Sequence, residues 1–236
     1  MSITVTDFHS HILPCIDDGS ASVEESAEML RREYSQGIKR VVATPHFYPQ
    51  YNTPSAFLQK RALSAELLEK HISGDRPLPE IILGAEVYFF RGISESEEIK
   101  GLTIGEKKYI LIEMPLPPWS DSMYKELEAI YTKQGLFPVI AHVDRYIAPF
   151  RTFGIPEKLE DLPVYVQANA SFFIRKTTQR MALRMLKQDK IHLLGSDCHN
   201  METRLPNLGE ALEVIRNRLG EEAISRINSY EREILD

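Results

Sequence analysis

The stretch Ile3-Thr4-Val5-Thr6-Asp7-Phe8-His9-Ser10-His11 shows the pattern that decides the fold. Residues 3–8 are predicted to form a first β-strand, and the strand ends in two histidines separated by one residue. Side chains two residues apart share one face of an extended strand, so His9 and His11 are expected to project together. Polar side chains of the same kinds recur at the ends of the later apolar runs.

Six further short apolar runs are predicted as strands, and amphipathic segments separate most of them. These strands are predicted over residues 41–44, 81–83, 109–112, 138–141, 164–166 and 192–194. Helices are predicted over residues 23–36, 55–72, 121–134, 177–188, 208–219 and 221–230. The first helix begins with a capping box, Ser22-Val23-Glu24-Glu25, and is predicted to end before a left-handed Gly37.

The alternation of strands and helices predicts βαβ units and a parallel sheet. Seven such units indicate an α/β protein with a barrel-like sheet surrounded by helices, and an open doubly wound sheet is the alternative. The chain has no repeat and no linker rich in glycine, serine or proline. We therefore expect residues 1–236 to form a single domain.

Composition excludes several classes of protein. The chain has 236 residues and a formal net charge of −6, with no run of basic residues, which argues against nucleic-acid binding. No apolar stretch approaches the roughly 20 residues that span a bilayer, so membrane insertion is not expected. The N-terminal residues do not resemble a signal peptide, and two cysteines suit a reducing cytoplasm, which is the expected location.

Histidines and carboxylates follow nearly every predicted strand. In a parallel barrel the C-terminal ends of the strands meet at one face, where the active sites of such barrels lie. The residues concerned are His9, His11, His46, Glu86, Glu113, His142, Asp197 and His199. Acids packed together without cations would repel one another, whereas two or three divalent ions would remove that repulsion. We therefore predict a metal centre, and we exclude His71 and His192 because they lie within a helix and at the start of a strand.

The motifs at these strand ends resemble the PHP (polymerase and histidinol phosphatase) superfamily. The matching segments are 7–14, Asp17-Asp18-Gly19, 43–46, Gly84-Ala85-Glu86, Ile112-Glu113, 141–146 and 196–200. Within that superfamily the chain resembles the bacterial tyrosine phosphatases of capsule and exopolysaccharide loci, the CpsB/CapC type. The resemblance spans residues 7–204 and implies a distorted (β/α)7 TIM-like barrel, the PHP fold.

The resemblance also implies a function and a set of site residues. It implies a protein-tyrosine phosphatase that uses a metal-activated hydroxide, with two or three divalent ions, manganese or iron first and zinc, cobalt or magnesium as alternatives. The implied metal ligands are His9, His11, Asp18, His46, Glu86, Glu113, His142, Asp197 and His199. Arg145 and Arg204 are implied to hold the phosphate, and either Asp197 or His199 to assist proton transfer. The implied substrate is the tyrosine-rich phosphorylated tail of a polysaccharide-assembly kinase.

Several alternatives remain open at this point. Cys198 and Arg204 also fit the Cys-x5-Arg pattern of cysteine-based tyrosine phosphatases, although no glycine stands between them. Another phosphoesterase of the same superfamily, such as a histidinol phosphatase, and a metal-bound regulatory module without turnover are the other candidates. The aromatic loop at 47–51 is interpreted either as a surface for a phosphotyrosine ring or as ordinary packing on the barrel. The oligomeric state is not predicted.

Overall fold

The computed structural model describes residues 5–74, 77–147 and 151–236. All paired strands run parallel, in a three-stranded sheet of order β1-β2-β4 and a six-stranded sheet of order β3-β5-β6-β7-β8-β9. The strands are β1 (Val5–Ser10), β2 (Ile38–Ala43), β3 (His46–Phe47), β4 (Glu80–Leu83), β5 (Glu86–Tyr88), β6 (Tyr109–Glu113), β7 (Phe137–Ile140), β8 (Tyr165–Asn169) and β9 (Leu193–Gly195).

The two sheets together form a ring of seven parallel strands. Only two residues separate β2 from β3 and β4 from β5, so each pair is one strand with a break in its middle. A parallel bridge between Ser10 and Cys198 joins β1 to the chain just after β9, and the backbone N–H of His11 donates to the carbonyl of Cys198 at 2.9 Å. The predicted TIM-like barrel is therefore confirmed, and the open-sheet alternative is wrong.

The described residues form eight α-helices, of which six lie between strands and the last two follow β9. They are α1 (Val23–Ser35), α2 (Pro54–Ile72), α3 (Asp121–Gln134), α4 (Ile155–Glu160), α5 (Ala170–Ile174), α6 (Gln179–Lys187), α7 (Leu208–Leu219) and α8 (Glu221–Leu235). Helix α1 is capped as predicted, because the side chain of Ser22 accepts from the backbone N–H of Glu25 at 3.2 Å, and Gly37 is left-handed with φ of 88°. No helix in the described part of the chain is long and apolar enough to cross a membrane.

The interior of the ring is filled by apolar side chains that come from strands on all sides. Phe8, Val42, Leu111, Val139 and Leu193 belong to one buried cluster although they lie on five different strands. Ile104 and Ile234 complete that cluster, so α8 covers the end of the barrel opposite the C-terminal ends of the strands. A larger cluster packs the outer face of the strands against the helices.

Several boundaries differ from those predicted. Ile3 and Thr4, at the start of the predicted first strand, lie outside the described residues. Helix α8 continues to Leu235, five residues beyond its predicted end. The short helices α4 and α5 were not predicted, because segments of six and five residues carry too little hydrophobic periodicity. Three short 3₁₀ helices lie within residues 93–106, where the sequence has little hydrophobic periodicity.

Candidate metal centre

The C-terminal ends of the strands bring the predicted histidines and carboxylates together. His9 lies on β1, His46 on β3, Glu86 on β5 and Glu113 on β6. His142 is the second residue after the end of β7. His11 follows β1, and Asp197 and His199 follow β9. The register of β1 against β2 shifts between Asp7 and Ser10, and such bulges turn side chains toward sites at barrel rims.

Glu86 is the buried carboxylate at the middle of the group. Its Oε2 atom lies 3.1 Å from His9 Nε2, 3.3 Å from His11 Nε2 and 3.0 Å from His46 Nδ1. Its other oxygen, Oε1, lies 2.7 Å from His142 Nε2. One carboxylate therefore contacts four imidazoles from three strand ends, an arrangement in which a carboxylate can bridge cations.

Three overlapping groups of donor atoms can each hold a metal ion, judged among the described residues. They are His11 with Asp18, His46 and His199; His9 with His11 and Glu86; and His46 with Glu86 and Glu113. In each group the donor atoms lie within 4.8 Å of one another. Neighbouring groups share His11, His46 or Glu86, and of these only the Glu86 carboxylate has two oxygen donors that could serve two ions.

Burial and neighbouring charge set the ionisation of these groups in opposite directions. Burial acts to raise the pKa of Glu86, but His9, His11 and His142 offset it and hold that pKa well below its usual value. Burial acts to lower the pKa of His11, yet the carboxylates of Asp17 and Glu86 beside its ring nitrogens raise it to about 10. For His199, burial and the charges of His11 and Arg204 lower the pKa to about 3. The bare site thus pairs an ionised Glu86 with a protonated His11, whose positive charge a bound metal ion would replace.

Several donor atoms of this centre form no hydrogen bond with a described residue. They are His46 Nδ1, Glu86 Oε2, Glu113 Oε2 and His199 Nε2. A buried polar atom without a partner costs roughly 1–3 kcal/mol, so four of them at one place need a further ligand. Imidazole nitrogens mixed with carboxylate oxygens suit manganese, iron and zinc. The residues present therefore fit divalent metal ions.

Asp18 differs from the other predicted ligands because its side chain is 68% exposed. Its Oδ1 atom nevertheless lies 3.4 Å from His46 Nε2 and 3.6 Å from His199 Nε2. Asp18 therefore closes the donor group that faces solvent. His71, by contrast, is exposed on α2, and His192 Nδ1 accepts from the backbone N–H of Val166 at 2.9 Å, so both lie away from the centre as predicted.

Two polar residues that the sequence analysis did not assign hold the histidines in place. Asp17 Oδ2 contacts His11 Nδ1 at 2.7 Å and accepts from the backbone N–H of His46 at 2.9 Å. Gln167 Oε1 lies 3.2 Å from His9 Nδ1 and accepts from the backbone N–H of His142 at 2.6 Å. Such partners fix the ring orientation of metal-binding histidines. The sequence signal for Asp17 is its place in the matching motif Asp17-Asp18-Gly19. The signal for Gln167 is its place near the C-terminal end of β8.

A second buried acidic group lies behind β1. Asp7 Oδ1 accepts from the backbone N–H groups of His9 at 3.1 Å and Ser196 at 2.9 Å, so it ties β1 to the segment that carries Asp197. Burial raises the pKa of Asp7 and that of the adjacent Glu33. Because both carboxyls are buried and close together, each disfavours the ionised form of the other.

Arg145 and Arg204 both pair with Asp197 at the edge of the centre. Arg204 Nη2 lies 2.7 Å from Asp197 Oδ1, and Arg145 Nη2 contacts Asp197 Oδ2. The arginines are 37% and 36% exposed, whereas Asp197 is buried. They line a cavity of about 410 Å³ that opens to solvent beside the metal-binding groups. A small anion entering this cavity would meet both guanidinium groups.

Two residues of the centre adopt left-handed backbone. His142 has φ of 32° and Asp197 has φ of 54°. Non-glycine residues rarely adopt such angles, and they concentrate at functional sites where the surroundings hold them. Close packing contributes here, because a Cβ on Gly195 would stand 2.5 Å from the Cβ of His9. The chain thus accepts local strain in order to point these side chains inward.

The aromatic loop divides between the two interpretations given for it. Phe47 is buried and packs against Phe57 with a ring-centroid distance of 5.3 Å, so it belongs to the core. Tyr48 stacks on His46 at 5.1 Å and lies 5.7 Å from Tyr88, beside the metal-binding groups. Tyr51 is 78% exposed. Two tyrosines of this loop are therefore available to a ligand at the rim.

Cys198 does not have the environment of a nucleophilic cysteine. The side chain is fully buried, and burial together with Glu33 and Asp7 raises the pKa of its thiol well above the usual value. A thiolate nucleophile needs a lowered pKa and access to substrate. The Cys-x5-Arg interpretation is therefore not supported by the structure, and Arg204 lies with the metal-binding groups instead.

Comparison with known proteins places these features in a family. The family model described as capsular polysaccharide synthesis, CpsB/CapC, matches residues 5–235. The chain is 31% identical over 224 residues to the tyrosine-protein phosphatase CpsB of Streptococcus pneumoniae, covering 91% of this chain and 90% of that protein. It is 31% identical over 226 residues to the tyrosine-protein phosphatase YwqE of Bacillus subtilis, covering 92% and 85%.

Solved structures agree with the sequence comparison. The chain is similar to one from the crystal structures of YwqE from Bacillus subtilis and CpsB from Streptococcus pneumoniae, with a TM-score of 0.83 at 25% identity. Those two proteins are described as unique metal-dependent tyrosine phosphatases. The alignment covers 98% of this chain and 94% of that one. A phosphotriesterase homology protein from Escherichia coli has a TM-score of 0.52 at 11% identity, which shows a shared fold alone.

Proposed function

Because the chain belongs to the CpsB/CapC family of capsular polysaccharide synthesis proteins, we propose that it is a metal-dependent protein-tyrosine phosphatase. The observation that carries the proposal is that three overlapping donor groups lie next to two arginines that line one cavity, with Arg145 Nη1 3.7 Å from Glu113 Oε1. A phosphate monoester needs both parts, since cations and guanidinium groups together neutralise its charge. Residues 1–236 are proposed to act as one catalytic domain.

The proposed metal ligands are the nine residues that the family resemblance implies: His9, His11, Asp18, His46, Glu86, Glu113, His142, Asp197 and His199. The three donor groups support two or three ions, and the mixed nitrogen and oxygen donors favour manganese or iron. When bound, divalent ions supply positive charge to the phosphate and lower the pKa of water toward neutrality. Glu86, which contacts four imidazoles, is proposed to be the bridging ligand.

Arg145 and Arg204 are proposed to bind the nonbridging oxygens of the phosphate. Asp197 holds both guanidinium groups at the cavity before substrate enters, so little side-chain order has to be gained on binding. Bidentate hydrogen bonds from arginine match the geometry of a phosphate, which a lysine cannot reproduce. His9, His11 and Arg145 outweigh the effect of burial and lower the pKa of Asp197, which supports a role of this carboxylate in positioning the arginines, and His199 is the other candidate for proton transfer.

The proposed substrate is a phosphotyrosine on a protein. Both the S. pneumoniae and the B. subtilis relatives are named tyrosine-protein phosphatases. Tyr48 and Tyr51 at the rim support this proposal, since aromatic side chains there offer stacking surface to a phenyl ring. We propose that the substrate is the tyrosine-rich tail of a kinase of polysaccharide assembly, reached in the cytoplasm. Histidinol phosphate, a small substrate without an aromatic phosphate ester, is the competing candidate.

The test is restoration of activity after metal removal. Protein stripped with chelator is assayed with phosphotyrosine peptide, phosphoserine peptide and histidinol phosphate after addition of Mn²⁺, Fe²⁺, Co²⁺, Zn²⁺ or Mg²⁺. We expect Mn²⁺ or Fe²⁺ to restore phosphotyrosine hydrolysis above the other two substrates. His11→Gln should bind less metal, whereas His71→Gln, a change at an exposed histidine on α2, is the matched control. Failure of every metal to restore hydrolysis would contradict the proposal, and preference for histidinol phosphate would reassign the substrate.

A further inference from the structure

An unpaired basic surface begins at the cavity beside the metal centre. We define the basic face as Arg175, Lys176, Arg180, Arg184 and Lys187. Residues 162–188 contain these five basic side chains and no aspartate or glutamate. The remaining chain has 23 basic against 34 acidic residues, a net charge of −11. The positive charge of this face is therefore local and opposite in sign to the rest of the molecule.

All five side chains of the basic face are exposed, and none of them forms an ion pair with a carboxylate of the described residues. Elsewhere on the surface, basic side chains such as Lys70, Lys133 and Lys158 do pair with acids. Arg180, Arg184 and Lys187 lie four and then three residues apart, which places them on one side of α6. Their charges are thus free to meet an external anion.

Arg175 connects the basic face to the catalytic groups. It lines the 410 Å³ cavity together with Arg145, Arg204 and Arg32. Arg32 is held there by its Nε, which donates to the carbonyl of Pro206 at 2.8 Å. Asp144 and Glu210 also line the cavity; Asp144 is half-buried and accepts from the backbone N–H of Asn169 at 2.9 Å, whereas Glu210 is exposed. When the phosphate of the substrate is bound to Arg145 and Arg204, an anionic group next to that phosphate is therefore close to Arg175.

The scaffold of the basic face is rigid. Thr178 Oγ1 donates to the carbonyl of Phe172 at 2.8 Å, and Gln179 Nε2 donates to that of Phe173 at 2.9 Å. These bonds tie the start of α6 to α5. Met181, Ala182, Met185 and Leu186 bury the opposite side of α6 in the core. The backbone that carries Arg180, Arg184 and Lys187 is consequently held in place relative to the cavity.

We propose that the basic face docks an anionic stretch of the polypeptide substrate next to its phosphotyrosine. The inference rests on the proposed function and adds the substrate preference of that site. Helix α6 is nine residues long, about 13 Å at 1.5 Å per residue, which an extended peptide covers with about four residues. Glutamate, aspartate or a second phosphotyrosine within four or five positions of the reacting one would supply the charge.

Burial of the apolar side of α6 favours a peptide over a membrane surface. A helix that lies on a bilayer inserts exposed apolar side chains. The large hydrophobic side chains that are exposed among the described residues are Tyr51, Leu63, Leu67, Leu116 and Tyr131, and none belongs to residues 162–188. The basic face therefore offers charge without an apolar anchor.

The experiment compares peptides that differ in the residues flanking one phosphotyrosine. The metal-loaded protein is assayed for kcat/KM with a Glu-flanked peptide, a peptide carrying two phosphotyrosines and a neutral Gln-flanked peptide, with the flank on either side. Exposed ion pairs each contribute little, so two or three of them should give a preference of about 3- to 10-fold for the anionic peptides. The preference should decline as salt is raised from about 0.05 to 0.5 M, because salt screens exposed charges.

Two variants and a charge-matched control identify the surface. Arg175→Gln should reduce the ratio of anionic to neutral kcat/KM, and the triple variant R180Q/R184Q/K187Q should bring it close to one. The triple variant K60Q/K70Q/K125Q removes the same charge from α2 and α3 and should keep the wild-type ratio. Thermal unfolding of each variant shows whether it folds.

The outcomes separate this inference from the proposed function. A wild-type ratio near one, or equal losses in the basic-face and control variants, would overturn the docking surface while leaving a working phosphatase. If the wild type hydrolyses no peptide, binding of the same peptides with a nonhydrolysable phosphonate is measured by fluorescence anisotropy, and a ratio of affinities near one overturns the surface. Cosedimentation with anionic phosphatidylglycerol vesicles that requires Arg180, Arg184 and Lys187, without peptide preference, would assign the surface to membranes instead.

Discussion

Replacement of Glu231 by glutamine should remove a measurable component of the pH dependence of stability. Glu231 is fully buried on α8, where its Oε2 accepts from the backbone N–H of Thr6 at 3.1 Å and from Asn228 Nδ2 at 3.3 Å. Its Oε1 atom has no hydrogen-bond partner among the described residues. Burial raises the pKa of Glu231 from 4.5 to about 8, although the bond from Thr6 and the charge of Arg40 oppose the shift.

The sign and size of the effect follow from that pKa. Between about pH 4.5 and pH 8 the folded protein holds a proton that the unfolded chain has released, so raising the pH favours unfolding. Each pH unit inside this window costs about 1.4 kcal/mol, less near its ends. From pH 5 to pH 7 the free energy of unfolding should therefore fall by about 2.5 kcal/mol because of Glu231 alone. Typical domains have about 5–15 kcal/mol in total, so the effect is measurable.

The assay is urea unfolding at pH 5, 6 and 7, followed by circular dichroism, with chelator present in every sample. Glu231→Gln keeps the size of the side chain and an oxygen for Thr6 but cannot ionise. Because all other groups titrate in both proteins, the difference in unfolding free energy isolates Glu231. We expect this difference to shift by about 2.5 kcal/mol in favour of the variant between pH 5 and pH 7.

The control is Glu222→Gln, which changes an exposed carboxylate of the same helix. Its stability relative to wild type should change little over the same pH range, because an exposed group is solvated in both states. Parallel curves for wild type and Glu231→Gln from pH 5 to pH 7 would refute the reasoning, since they would mean that Glu231 is ionised in the folded protein.

Three other outcomes test the site. Arg204→Ala should lower kcat for phosphotyrosine peptide by about 100-fold, which is comparable to loss of an oxyanion donor, while the metal content measured by plasma emission stays unchanged. The control Arg216→Ala on α7 should keep the wild-type kcat. Wild-type turnover in Arg204→Ala would remove the assigned role. Cys198→Ser should retain peptide hydrolysis at a temperature where it is folded, and abolished turnover with a native unfolding curve would restore the cysteine mechanism. Asp17→Asn should weaken Mn²⁺ binding by about 10- to 100-fold in calorimetric titration, and unchanged affinity would exclude its support of His11.

Most of the barrel, and the meeting of its histidines and carboxylates at one face, could be predicted from local pattern. Strand β6 and helices α3 and α7 have the predicted bounds to within one residue. Their ends are well defined because their periodicity is strong and a glycine or polar residue follows. The placement of the histidines follows from one rule, that parallel strands end at a common face. The left-handed angles of His142 and Asp197 carry no comparable signal in a single sequence.

What could not be predicted depends on residues far apart in the chain. Gln167 supports His9 across 158 positions, and Glu231 caps the backbone of Thr6 across 225. Neither pairing leaves a local spacing that a sequence reader could use. The basic face gives no clear signal in the sequence for another reason. Its five charges are spread over thirteen residues without an uninterrupted basic run, and the net charge of the whole chain is −6.

The attachment of α8 at Thr6 has a consequence for engineering the enzyme. Thr6 and His9 lie on the same strand, three residues or about 10 Å apart, yet one meets a protonated carboxyl and the other the metal-binding groups. Alkaline conditions free imidazoles for metal but weaken the base of the barrel. Storage and assay buffers thus pull in different directions, and redesign of the base around position 231 offers a way to widen the working range without touching the catalytic rim.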